Sequence, residues 1–300
     1  MLNNTLYLAV ALFLLIINAG FPYELYGGAL YCNTTCDDCE DALNNGTYTM
    51  VYLNSSLYSP GATCINNPAG FENKTFDCQG NTITGNRASN RFAIYYQYKN
   101  NVTLQNCIVQ SFYDGYRLYR TNYSLAFNMT SYNNSNDGAR LYMFSNGTFS
   151  NNTHYNNSHE ALAFDYSSGN LISNSTFANS TEQGIEFQSS SWNTVCFNTF
   201  YGSNAIDFHW QEGNSIGNIV HNNTASEVKN LVTIYKGLEN ILVNNTMDSA
   251  RGDYWAAPIM IYPYADMGGG TDVQQHNREQ HRAPRPPNLL FQLHSKLERP

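Results

Sequence analysis

The chain has 300 residues, 13% of them charged, a net charge of −8, and 42 asparagines beside 23 tyrosines and 16 phenylalanines. The negative balance, with no basic stripe and no phosphate-binding glycine loop, excludes a nucleic-acid backbone as partner. Asn, Thr, Ser and Tyr are poor helix formers, which excludes long helices, whereas Asn and Gly suit turns and Tyr, Phe, Thr and Ile suit strands.

Residues 6–17 are an unbroken apolar run. It is too short to span a bilayer comfortably and right for the core of a signal peptide over residues 1–20, with Ala19 and Gly20 at the cleavage edge. No later segment is apolar enough for a membrane span. Residues 21–80 read as a Cys-rich cap and first coils. Cys32, Cys36 and Cys39 cluster, Cys64, Cys78 and Cys107 follow, and Cys196 stands apart. In an exported chain these favour disulfides over zinc, because the C-x3-C-x2-C cluster lacks a second half. Spacing leaves the connectivity open, although Cys78 and Cys107 fall at comparable points of neighbouring coils. Residues 35–43 predict a short helix with Thr35 as N-cap and acids in its first turns, capping the amino end. Residues 48–57 predict the first strand region.

A repeat dominates residues 81–264. The phrase DGYRLY (114–119) returns as DGARLY (137–142), and three related lines follow from Ala161, Gly184 and Ala205. A small residue opens each line, and apolar residues then alternate with others. Units of about 23 residues with a two-residue period signify a solenoid of short strands. The inward columns are expected to be Tyr116, Ala139, Leu162, Ile185, Ile206 and Leu118, Leu141, Phe164, Phe187, Phe208, with asparagines stacking at the bends. Sixteen N-x-S/T sequons, from Asn3 to Asn244, offer glycosylation sites in an exported chain, although some of these asparagines are expected to face inward.

The segments CNTTCDDCEDALN (32–44), TCINNPAGFENKTFDCQGNTITG (63–85) and the Asn-rich coils together resemble exported proteins of the NosD-like, pectin-lyase-like repeat family, often found on archaeal surfaces. The resemblance covers residues 31–247, and FDCQGNTITG is its most telling piece. It implies an all-β, right-handed parallel β-helix with a short helical cap, secreted or at the cell surface. Some relatives carry a copper label, but no Cys/Met/His cluster recurs on one face here. The fold hosts lyases, hydrolases, adhesins and scaffolds, so it does not fix a function. Residues 265–300, rich in Gln, Arg, His and Pro, depart from the pattern and read as a disordered tail or an aberrant reading frame.

Outward positions of the phrase are Arg117, Arg140, Ala163, Glu186, Asp207 in one column and Tyr119, Tyr142, Asp165, Gln188, His209 in the other. Two readings share this face. As a binding module, Tyr119 and Tyr142 beside Arg117 and Arg140, with Gln188 and His209, offer aromatic faces and polar arms to a glycan or envelope polysaccharide. As a carbohydrate-active enzyme, Glu186, Asp207 and Asp165 supply paired acids for cleavage. The binding or structural reading is preferred, because nearly uniform coils leave no insertions to wall a groove, and Arg117 and Arg140 stand two or more rungs from the acids. No cofactor and no metal are implied, and His154 and His159 read as exposed loop residues.

Overall fold

The computed structural model describes residues 23–209, 215–235, 237–248, 257–261 and 292–293. The signal peptide expected over 1–20 lies outside these residues. So does the tail from 265, apart from the backbone of Gln292–Leu293, which runs antiparallel beside Leu242–Val243.

A two-residue period sends alternate side chains to opposite faces of a strand, and Asn bends return the chain to the next rung. The coil from Thr103 shows the outcome. Thr103–Gln105 lies in one sheet, Ile108–Gln110 in a second and Asp114–Tyr119 in a third. The chain then re-enters the first sheet at Leu125–Phe127, with Leu125 opposite Thr103. Repetition builds a parallel β-solenoid with sheets of twelve, nine and nine strands among the described residues. Antiparallel pairs occur only at the ends of the twelve-stranded sheet among these residues.

The bends are stacked as well. Asn106, Asn128, Asn151 and Asn174 hold equivalent positions with φ of 55°, 51°, 58° and 51°. Asn tolerates this left-handed region because its short amide bonds locally. Other asparagines turn inward and bond along the axis. Asn170 donates to Asn193 at 2.9 Å, Asn193 to Asn218 at 3.0 Å, and Asn218 to Asn240 at 3.1 Å. A second ladder runs from Asn198 to Asn223 to Asn245 at 3.0 and 2.9 Å.

The expected inward columns are paired in the expected register, with Tyr116 opposite Ala139 and Phe164 opposite Phe187. Phe164, Phe187 and Phe208 stack at 5.2 and 5.3 Å. His154 corrects an expectation. It is wholly buried in the second sheet's inward column rather than exposed in a loop. Its Nδ1 faces the Ala161 carbonyl at 2.7 Å and its Nε2 faces the Tyr116 hydroxyl at 3.1 Å. Burial pushes the imidazole down to about 4.

An unprotected solenoid end would pair with other chains. Helix α1 (Cys36–Asn44) covers the amino end, with Thr35 as N-cap accepting from the Asp38 N–H at 3.1 Å. Its carboxyl end is met by buried Lys74, whose Nζ donates to the Leu43 carbonyl at 2.7 Å. Ahead of it, Tyr23–Tyr26 and Ala29–Cys32 form a hairpin that the sequence did not announce. Disulfides Cys32–Cys39, Cys36–Cys64 and Cys78–Cys107 staple the cap and first coils. Cys196 is a free, buried thiol.

Candidate functional site

The third sheet's outer face gathers the polar side chains. Register places Arg117, Arg140, Ala163, Glu186 and Asp207 on successive rungs. Tyr119, Tyr142, Asp165, Gln188 and His209 form the next column in the same pairings. Asp114, Asp137 and Glu160 lead successive rungs one step earlier, since the Gly115 N–H donates to the Asp137 carbonyl and the Gly138 N–H to that of Glu160.

At the amino end this face carries a cleft of about 710 Å³. Its floor is Tyr95, Arg117, Tyr119 and Tyr142, and its wall is the turns at 61–63 and 90–92. The expectation that no insertion could wall a groove is therefore corrected. The first coils are longer than 23 residues: Ile65 pairs with Ile94, 29 positions on, and the surplus forms the wall. Tyr119 and Tyr142 stack at 4.8 Å with planes 2° apart. Rings that stand out from a sheet and stack on each other spend their faces within the ladder. That leaves their edges and hydroxyls, not the open faces expected from the sequence. Arg117 lies over the Phe92 ring at 5.2 Å, and no acid lines the cleft.

Towards the carboxyl end the face turns acidic and closed. Asp165, Glu186 and Asp207 are only 3%, 4% and 3% exposed, not solvated as outward positions lead one to expect. Longer neighbours close over them. Arg140 Nε donates to Asp165 at 2.9 Å, Gln183 to Asp207 at 3.2 Å and Gln188 to Glu186 at 3.0 Å. His209 Nδ1 pairs with Glu186 at 2.9 Å. Arg140 thus sits among the acids rather than remote from them, and it also reaches Asp137 at 3.2 Å. Burial pushes Asp207 up to about 7, helped by the adjacent Glu186 charge and opposed by His209. The hydrogen bond to Glu186 raises His209.

Sequence reasoning missed the leading column and the cleft wall. The signal for the column was the Asp that opens both DGYRLY and DGARLY, which an alignment begun at the glycine leaves out. Burial pushes Asp114 up to about 6. His159 is half-exposed and touches Asp137, Glu160 and Glu182. Hydrogen bonds to Asp137 and Glu160 push it up to about 11.

Residues 32–214 match the family described as "NosD: Periplasmic copper-binding protein (NosD)", and the chain belongs to that family. That membership and three disulfides make it an exported protein. Among the described residues no helix is long and apolar enough to cross a membrane. No curated protein sequence matches the chain. The fold is similar to the Agl-KA catalytic domain, with 14% identity and a TM-score of 0.52 over 78% of this chain and 53% of that one. It is also similar to the periplasmic alginate epimerase AlgG, with 11% identity and a TM-score of 0.50 over 71% of this chain and 60% of that one. The chain thus spans less than two thirds of either.

The family description names copper, and the described residues hold no sulfur cluster of the kind the cuprous ion favours. Six cysteines are locked in disulfides and Cys196 is buried alone in another sheet. The cuprous ion favours clustered thiolates or thioethers. Among the described residues, the one grouping of three His, Cys, Asp or Glu donors close enough to share an ion is Asp137, His159 and Glu160. It sets one imidazole against two carboxylates, with no sulfur.

Proposed function

We propose that the protein is an exported β-helix module that binds an acidic polysaccharide along the outer face of its third sheet. The carrying observation is the acid-free cleft in which Arg91, Arg117 and the edges of Tyr119 and Tyr142 converge. Guanidinium groups recognise carboxylates by paired hydrogen bonds, and hydroxyl edges suit sugar hydroxyls. A solenoid repeats its side chains at about 4.8 Å per rung, so its face is a linear track suited to a linear polymer. The alginate epimerase with the same fold, named for a polysaccharide, supports the reading. Electrophoresis through gels cast with acidic polysaccharides is the test. The wild-type chain is expected to be retarded and the Arg117→Gln variant to run freely. Equal mobility with and without polysaccharide would contradict the reading.

A second reading, a polysaccharide hydrolase or lyase, draws on one observation: Asp207, whose carboxyl burial pushes up to about 7, stands one rung from the Glu186 carboxyl. Such a pair suits general acid and base roles, with Asp165 nearby. Their burial at 3–4% leaves substrate little access in this conformation, which ranks catalysis second. New reducing or unsaturated ends, lost on Glu186→Gln, would reverse that order.

A further inference from the structure

The leading column holds a feature outside both readings. Asp137, His159 and Glu160 each bring one ligand atom within 4.8 Å of the other two, and His159 Nδ1 faces both Asp137 Oδ1, at 3.2 Å, and Glu160 Oε2. They come from two neighbouring rungs, so backbone pairing fixes the spacing. Each part of the grouping is oriented. The second oxygen of Asp137 is held by Arg140 at 3.2 Å, which leaves Oδ1 for the cluster. The far nitrogen of His159 faces Glu182 Oε1 at 3.2 Å, which turns Nδ1 towards the two carboxylates. A carboxylate on the distal nitrogen of an imidazole is the usual support for a metal-bound histidine. Glu160 is wholly buried, and its Oε1 has no hydrogen-bond partner. A buried carboxylate oxygen without a partner is costly. Four buried acids, Asp114, Asp137, Glu160 and Asp165, gather here around Arg117, Arg140 and the His159 ring. His159 is half-exposed, which gives an ion a way in.

We propose that Asp137, His159 and Glu160 bind one divalent cation of the zinc or manganese kind. One imidazole with two carboxylates is a donor set those ions accept, and the half-exposed side leaves positions for solvent.

The test is calorimetric titration of the full chain, treated with chelator, with ZnCl2 and with MnCl2, accompanied by thermal unfolding. One ion per chain is expected, with Tm rising with ion concentration. Glu160→Gln, which keeps shape and removes charge, and His159→Ala are each expected to weaken binding at least tenfold. Glu182→Gln, which alters only the group that orients the ring, is expected to weaken binding by about tenfold. Circular dichroism checks that the variants fold. Failure of the wild type to bind either ion would overturn the proposal, as would binding unchanged in both Glu160→Gln and His159→Ala. His159 would then be an ion-pair bridge among Asp137, Glu160 and Glu182.

Discussion

Phe197 occupies the bend column of Asn106, Asn128, Asn151, Asn174 and Asn222, with φ of 57° and 55% of its surface exposed. An aromatic side chain there carries the steric penalty of left-handed backbone without a core contact to offset it. Phe197→Asn is therefore expected to stabilise the protein by about 0.5–1 kcal/mol, read from denaturant midpoints. Asp207 gives a pH signature. Burial raises its folded pKa from 3.8 to about 7, with Glu186 raising it further and His209 and Gln183 opposing. Between those values the folded state holds more protons than the unfolded one, so this group's contribution falls as pH rises from about 4 to about 7. Asp207→Asn removes that loss. The variant is expected to gain little at pH 4 and about 1–3 kcal/mol at pH 8, relative to wild type. A gain independent of pH would contradict the assignment. Side-chain burial of this kind was illegible in the sequence. Alternation gave the outward direction of Asp165, Glu186 and Asp207, but not the Arg140, Gln183, Gln188 and His209 side chains that close over them.

At the scale of the element, the coil was readable because its period is enforced twice, by strand alternation and by the bends. Both inward columns of the third sheet emerged from the phrase alignment, since a one-residue slip would turn every apolar side chain to solvent. The inward asparagines were only half readable. Sequons mark Asn133, Asn151, Asn174 and Asn222, whereas the residue after each of the first, second and fourth, Asn134, Asn152 and Asn223, is buried. Asn193 is the central link of the longest ladder. Its Oδ1 accepts from the Asn170 N–H and amide, and its Nδ2 donates to the Ser167 carbonyl and to Asn218. Asn193→Ala leaves several buried polar groups without partners, each costing about 1–3 kcal/mol. A loss of at least about 3 kcal/mol is expected in urea unfolding. A loss below about 1 kcal/mol would show that water replaces the ladder.

For the whole molecule, the ends and the first coils carry what the regular repeat does not. The amino end is closed by α1, the hairpin and the disulfides. Cys36–Cys64 ties the helix to the first strand of the third sheet across 28 residues. Replacing both cysteines with serine is expected to cost about 2–4 kcal/mol and to raise hydrogen exchange in residues 29–66 before the later coils. Uniform exchange along the chain would contradict this. The cleft also lies among these coils, where departure from the 23-residue period builds its wall. Spacing counted over the regular units could not reveal it, because the surplus residues sit outside the repeated phrase. The central claim, a polysaccharide track beginning at that cleft, is tested most directly by a glycan array. The full chain would be compared with a variant carrying Arg117→Gln, Tyr119→Phe and Tyr142→Phe, which keeps the stacked rings and removes the guanidinium and two hydroxyls. The expected result is binding to uronate-containing glycans by the wild type, weakened at least tenfold in the variant, a change of about 1.4 kcal/mol or more. Equal binding by the two proteins, or none by the wild type, would contradict the account.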